Sequence, residues 1–424
     1  MNADAARIDA FDLVCALSRI ADLMNPAVSE HQSRVAVIAL ALSLEMQRPE
    51  EETTEIGLAG LIHDIGAFSL QERLDLLSFE LQEPDFHARV GYLLLHTFSP
   101  FAGIAAMIRY HHTPWRNGEG AAQAGHPIPL AAHILHLADR VEVAIDRNRY
   151  ILGQTDQVCE RIRTGANTSF HPDVLAAFLR LAGREYFWLD VVSHNIGLFL
   201  RKSLRKHAIT MTMQELSEFA ALLCLLVDFK SSFTATHSSG VAATALALAR
   251  RAGFSSRDQE MMRVAAYLHD VGKLGIPSEI IEKKGPLTGE EQNIMRSHAY
   301  FTHEILGSVE GLEEITDWGA LHQERLDGSG YPFHKTAEQL SDGARLMAVA
   351  DIFTALTEDR PYRAGMSKED TLRALNRLSA HRQLESKYTD ILTRDFDDIN
   401  AARAKAQAEA AVHYADFLRA LTQA

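Results

Sequence analysis

Cysteine is nearly absent from this 424-residue chain. Its three cysteines, Cys15, Cys159 and Cys224, are odd in number, far apart and set in apolar, helical-looking stretches. That argues against a disulfide framework and against a thiolate metal site, and it predicts buried free thiols in a reducing compartment. Long apolar runs are missing too. The longest, Phe219 to Val227, is far too short to span a bilayer. Near the amino terminus Asp4, Asp9 and Asp12 stand where a secretory leader would need a basic and then an apolar stretch. The expectation is a cytoplasmic protein with no membrane contact. A basic excess is also lacking. The formal net charge is −14, which disfavours a nucleic-acid polymer as partner. A small anionic substrate stays compatible with that charge if bound cations reverse the field inside a site. Strand signals are scarce as well: there is no convincing period-two alternation and no asparagine–glycine turn.

Helical spacing is what the chain has instead. Met261, Met262, Val264, Ala265 and Leu268 recur at three- and four-residue steps. Thr212 followed by Glu215, and Thr288 followed by Glu291, have the pattern of capping boxes ahead of apolar-periodic segments. Hydrophobic content of 47% and charged content of 23% suit a folded globular protein, and the length suits two domains. The expected class is all-α.

An internal repeat is the most informative feature. His31 pairs with His237, and His63-Asp64 with His269-Asp270. His87 pairs with His298, His111-His112 with His322-Gln323, and Asp139 with Asp351. Partners are separated by 206 to 212 residues throughout. Chance histidines do not keep register over five anchors, so a duplicated domain is expected, spanning residues 1–200 and 201–424. The joint, around residues 193–210, carries Arg201, Lys202, Arg205 and Lys206, which read as a solvated connecting helix.

Histidine and aspartate are ligands for borderline divalent cations, and an adjacent His-Asp pair can offer a nitrogen to one metal while the carboxylate bridges to another. His269-Asp270 follows the apolar face that ends at Leu268, and Gly272 and Gly275 then end the helix. A buried aspartate there is costly unless it is paired or bound to a cation. His298 lies on the next capped helix among Ile294, Met295, Ile305 and Leu306 and is expected to point inward. Asp351 is the single carboxylate of the apolar stretch 346–352. Any one of these residues alone would more often be an ordinary core or surface side chain, as His303, His334 and His413 are read. The set that occurs twice predicts metal binding.

At these anchors the chain resembles a known family. Leu-His-Asp-Val-Gly-Lys over 268–273 is similar to the HD signature with its lysine. His-Gln-Glu-Arg-Leu-Asp-Gly-Ser-Gly-Tyr-Pro over 322–332 resembles the loop that gives the HD-GYP family its name. The stretch 351–363, with Asp351, Ala355-Leu356 and Asp359-Arg360-Pro361-Tyr362-Arg363, matches as well. The resemblance covers roughly residues 210–400. It implies two tandem HD-type helical domains and hydrolysis of cyclic di-GMP or a related cyclic dinucleotide, such as cyclic GMP-AMP. It implies a centre of two or three metals, often iron or manganese, with two per active site expected here. By resemblance His237, His269, Asp270 and Asp351 hold one metal, and Asp270 bridges to a second held by His298 and His322. Lys273, with Asp270 in the catalytic centre, contacts a phosphate oxygen. Arg325, Asp327, Gly328, Gly330, Tyr331 and Pro332 receive the substrate, the glycines letting backbone approach it closely.

Two departures stand out. Gln323 replaces a second consecutive histidine and weakens the second metal position. Phe233 stands four residues before His237, where some members carry a glutamate, so no third metal is expected. The amino-terminal half resembles the wider HD superfamily and offers a second metal set: His31, His63, Asp64, His87, His111, His112 and Asp139. It has Ala67 where the lysine would be, and Trp115 to Gly120 in place of the Gly-Tyr-Pro loop. Competing readings are a nucleotide phosphohydrolase of the broader superfamily, suited to that half, and a non-catalytic nucleotide-binding module motivated by Gln323. Homodimerisation is left open.

Overall fold

The structure, a computed structural model, describes residues 8–24, 29–67, 85–204, 210–230, 236–283, 285–359 and 364–423. Arg205, Lys206, Phe233 and residues 360–363, all of which figured in the sequence reading, lie outside the described residues. The chain divides into two compact units, one of residues 13–209 and one of residues 210–422 joined by residues 1–12. The latter grouping is visible in a short antiparallel pair: β1 (Ile8–Asp9) bonds to β4 (Thr210–Met211). A second two-residue pair, β2 (Ala122–Gln123) with β3 (His126–Pro127), forms a small hairpin in the amino-terminal unit. These four two-residue strands were not foreseen. They are too short for a period-two pattern to register. Among the described residues everything else regular is helical.

Five helices frame the site of the amino-terminal unit: α1 (His31–Glu45), α2 (Glu50–Ile62), α3 (Asp85–Leu95), α4 (Ala102–Tyr110) and α5 (Leu130–Val143). The carboxy-terminal unit begins with α6 (Met213–Lys230). It then repeats the set as α7 (His237–Arg251), α8 (Ser256–Leu268), α9 (Gly289–Gly307), α10 (Glu313–Ala320) and α11 (Asp342–Thr357). In each unit the first helix packs against the second and the fifth, and the third against the fourth.

The equivalence extends to the core. On α1, Val35, Ala36, Ala39 and Leu42 are buried; on α7, Val241, Ala242, Ala245 and Leu248 are. Both sets have the three- and four-residue spacing that turns one face of a helix inward. Starts are fixed locally. Thr288 and Glu291 form a complete capping box on α9, and Glu215 N–H donates to Thr212 Oγ1 at 3.3 Å while Thr212 N–H donates to Glu215. Ser255 caps α8 by accepting from Asp258 N–H.

Both second helices end by handing a His-Asp pair to a tight turn against the third helix. The turn needs glycine. A Cβ on Gly66 would lie 2.1 Å from the His87 carbonyl oxygen, and one on Gly272 would lie 2.1 Å from the His298 carbonyl oxygen. No side chain fits either gap. Cys15, Cys159 and Cys224 are not joined in disulfides; the last two are buried and Cys15 is half-buried. No described helix is long and apolar enough to cross a membrane.

Candidate metal centre and active site

The sequence anchors of the carboxy-terminal unit converge. His237 opens α7, His269-Asp270 follow α8, His298 sits on α9, His322 follows α10 and Asp351 lies on α11. All six are buried, none more than 8% exposed. Asp270 is the hub. Its Oδ2 lies 3.2 Å from His269 Nε2, and its Oδ1 lies 3.4 Å from His298 Nε2 and 3.8 Å from His322 Nε2. Asp351 Oδ1 lies 3.1 Å from His237 Nε2. Ligand atoms of His237, His269 and Asp351 form one group within 4.8 Å of one another, and those of His269, Asp270 and His322 form a second.

The imidazoles have a common orientation with a clear cause. His269, His298 and His322 each place Nδ1 on the backbone carbonyl three residues earlier, at 2.8, 2.6 and 2.7 Å. A carbonyl can only accept, so Nδ1 carries the hydrogen and Nε2 presents a lone pair to the centre. His237 is oriented by a carboxylate instead, with Nδ1 at 3.0 Å from Glu358 Oε2. That is how metal-binding histidines are commonly held.

Burial disfavours the protonated form of His322 and moves its pKa down to about 3. At His237 burial is outweighed by the charge of Glu358 and by bonds to Asp351 and Glu358, which lift it to about 10. Asp270 is held well below the usual carboxylate range, against its burial, by His269 and Lys273. His269 Nε2 has no hydrogen-bond partner although it is fully buried. A buried lone pair aimed at two carboxylates fits a cation, which supplies the missing partner. Nitrogen and carboxylate donors in this number suit a borderline divalent metal.

The remaining candidates lie beside this hub. Lys273 Nζ is 2.5 Å from Asp270 Oδ2, and its side chain is the more open of the two, 17% exposed against 5%. Gln323 donates from Nε2 to Asp351 Oδ2 at 3.3 Å. It offers Asp351 a hydrogen where an imidazole would offer a lone pair to a metal.

The loop after His322 is shaped by Glu324, a buried carboxylate that sequence reasoning missed. It accepts from Phe333 N–H at 2.7 Å and Lys335 N–H at 3.0 Å. Arg325, expected to meet substrate, donates from Nη1 to the carbonyls of His322 and Glu324. Asp327 Oδ1 accepts from Ser329 N–H and Oγ–H. Gly328 has φ +76°, and a Cβ on Gly330 would lie 2.4 Å from backbone atoms of Glu324 and Arg325. Tyr331 precedes Pro332 across a cis peptide bond. Its ring lies 6.4 Å from that of His298 and carries the Arg296 guanidinium at 5.3 Å.

The amino-terminal unit reproduces the hub. Asp64 Oδ2 lies 3.3 Å from His63 Nε2, and Asp64 Oδ1 lies 3.4 Å from His87 Nε2 and 3.8 Å from His111 Nε2. His31 Nδ1 is 2.6 Å from Glu142 Oε2, the counterpart of the His237–Glu358 contact. Glu142 and Glu358 were both missed by sequence reasoning. The Trp115–Gly120 loop differs from its counterpart: N–H groups of Trp115, Arg116 and Asn117 bond to the carbonyls of Ser169, Thr168 and Asn167.

Comparison with known proteins agrees with this geometry. The HD domain family matches residues 213–386, and an HD domain also matches residues 28–144. The 3'3'-cGAMP-specific phosphodiesterase 1 of Vibrio cholerae is 30% identical over 390 residues, 89% of this chain and 90% of the relative. A cyclic di-GMP phosphodiesterase of Pseudomonas aeruginosa is 35% identical over 162 residues, 38% of this chain and 39% of the relative. A crystal structure of a cyclic GMP-AMP-specific phosphodiesterase of Vibrio cholerae shares the fold. Its TM-score is 0.60 at 21% identity, covering 95% of this chain and 98% of that one. Doubled ligand hub, lysine and Gly-Tyr-Pro loop thus stand in a chain with a relative along nearly its whole length, and the chain belongs to the HD-GYP family of HD-domain phosphodiesterases.

Proposed function

We propose that the carboxy-terminal unit hydrolyses a phosphodiester bond of a cyclic dinucleotide, either cyclic di-GMP or cyclic GMP-AMP. The observation that carries this reading is the divided carboxylate of Asp270. One oxygen faces His269, the other faces His298 and His322, and Lys273 stands on the open side. The whole-length relative is named for 3'3'-cGAMP and the Pseudomonas relative for cyclic di-GMP, which supports this substrate class.

In this reading His237, His269, Asp270 and Asp351 would hold one cation, and Asp270, His298 and His322 would hold another. Iron or manganese suits the set. When bound, such cations polarise phosphoryl oxygens and lower the pKa of a water toward about 7. The protein's own residues do the rest. The backbone carbonyls of Ala266, Met295 and Gly319 keep three Nε2 lone pairs aimed inward before substrate arrives. Lys273 brings an ammonium to the oxygens on which charge grows. Asp327, Gly328, Gly330, Tyr331 and Pro332 receive the dinucleotide on a loop that Glu324 and Arg325 hold in shape. A water oxygen bonds to phosphorus, the ester phosphorus–oxygen bond breaks, and the water's proton ends on the leaving ribose oxygen. The product is the linear dinucleotide.

Asp270→Ala tests the assignment. Loss of turnover with retained helicity supports it, and turnover equal to the unaltered chain rejects it.

A further inference from the structure

The seven candidate ligands of the amino-terminal unit do not act as one set. Asp64, His87, His111 and His112 bring four ligand atoms within 4.8 Å of one another. His112 Nε2 is 3.0 Å from His87 Nε2, which is 3.4 Å from His111 Nε2. His111 donates its Nδ1 hydrogen to the Ile108 carbonyl at 2.7 Å, so its Nε2 offers a lone pair to this cluster. Asp64 Oδ1 is buried with no hydrogen-bond partner. A hydrogen on His87 Nε2 can be donated to His112 or to His111 but not to both, so a nitrogen lone pair stays unmet beside the orphaned Asp64 Oδ1, and a cation among them would satisfy all four donors.

His31, His63 and Asp64 bring three further ligand atoms within 4.8 Å of one another, and Asp139 belongs to neither group. Its Oδ2 accepts from Arg140 Nη2 at 2.7 Å and Nε at 3.2 Å. Its closest imidazole contacts are longer, 3.6 Å to His31 and 3.8 Å to His112. Asp351, its counterpart, lies 3.1 Å from His237 and is grouped with His237 and His269. The difference traces to one residue: the position after the aspartate is Arg140 in one unit and Ile352 in the other. Arg140 is 3% exposed, and a guanidinium keeps its charge when buried, so it requires a carboxylate.

We infer that the amino-terminal unit binds a single divalent cation, on Asp64, His87, His111 and His112, and that Arg140 serves as the fixed second positive charge of that site by occupying Asp139. Three imidazoles and one carboxylate, each 5% exposed or less, make a closed four-donor site of the zinc-like kind. The carboxy-terminal unit lacks the fourth donor, since Gln323 stands in the place of His112. The inference rests on the metal dependence proposed above but concerns the other unit.

The test uses the full chain with the carboxy-terminal hub removed by His269→Ala and Asp270→Asn. It is stripped of metal, reloaded with zinc and read by metal content per chain and by thermal unfolding. The expected content is about one zinc per chain, with a higher melting temperature than the stripped protein. Adding His112→Ala should abolish both effects. Adding Asp139→Asn with Arg140→Met, which removes the buried pair together and strands no charge, should leave both in place. Adding Arg140→Met alone frees Asp139 to join His31 and His63, and the content should rise. Should the hub-less background fail to fold, the zinc-dependent melting shift is compared in the otherwise unaltered chain between His112→Ala and the Asp139→Asn, Arg140→Met pair. The inference is overturned if the paired change loses zinc as fully as His112→Ala, if two zinc ions bind with Arg140 present, or if Arg140→Met alone leaves the content unaltered. Failure of the phosphodiesterase reading would appear separately, as absent turnover by the unaltered chain.

Discussion

Glu358 Oε2 lies 3.0 Å from His237 Nδ1, while Nε2 of the same ring faces Asp351 at 3.1 Å. The carboxylate therefore fixes which nitrogen carries the hydrogen and raises the basicity of the other. Gln407 Nε2 holds Glu358 in turn, at 3.0 Å. Glu358→Gln keeps the shape and removes the charge. It should weaken metal affinity by about 10–100-fold, the usual cost of losing such a support, and it should lower the melting temperature of the metal-free chain, where Glu358 stabilises the buried protonated His237. Metal titration of the variant checks this.

In the proposed reading Lys273 meets a phosphoryl oxygen and does not hold metal. Lys273→Ala should lower kcat by roughly 10²–10³, the scale of losing one donor aimed at developing charge, with metal content unaltered. Parallel loss of metal would instead make the lysine a support for Asp270.

Gln323 donates to Asp351 where the amino-terminal unit has His112. Gln323→His restores an imidazole beside His298 and His322 and should tighten metal binding in the carboxy-terminal unit. Metal titration of a chain carrying His112→Ala isolates the effect. Unchanged affinity would mean that the loop backbone, and not the side chain, limits that position.

Stability should fall in acid partly through two histidines outside the hubs. Burial, aided by Arg140, moves His136 down from 6.5 to about 3, and burial, aided by His171, moves His133 down to about 4. The unfolded chain then binds more protons than the folded one below pH 6.5, so stability rises with pH between about 3 and 6.5 and is lost as pH falls through that window. Melting temperatures across the window should show a shallower slope for His136→Gln than for the unaltered chain.

Much of the site was legible because ligand chemistry and repetition reinforce each other. His63 and His269, or Asp139 and Asp351, are informative only as pairs in register. Capping at Thr212 and Thr288 was legible because it is local. What stayed hidden is either unrepeated or non-local. Glu142 lies three residues beyond Asp139, whereas Glu358 lies seven beyond Asp351; both reach the first histidine of their unit, Glu142 from within its helix and Glu358 from extended backbone just past the end of its own. Thr354 occupies the position that register would have predicted. Arg140 looks like an ordinary helix residue until Asp139 is seen beside it. Glu324 reads as a surface charge until the loop N–H groups of Phe333 and Lys335 close on it. The β1–β4 pair joins segments some two hundred residues apart and has no signature in either.

The most direct test of the central claim is turnover by the purified full chain. It is loaded anaerobically with ferrous iron or manganese and given cyclic di-GMP and cyclic GMP-AMP separately, with Asp270→Ala alongside and metal content measured on each sample. The account predicts linear dinucleotide from at least one substrate and none from the variant. Metal-loaded chain that leaves both substrates intact, or a variant as active as the unaltered chain, would contradict it.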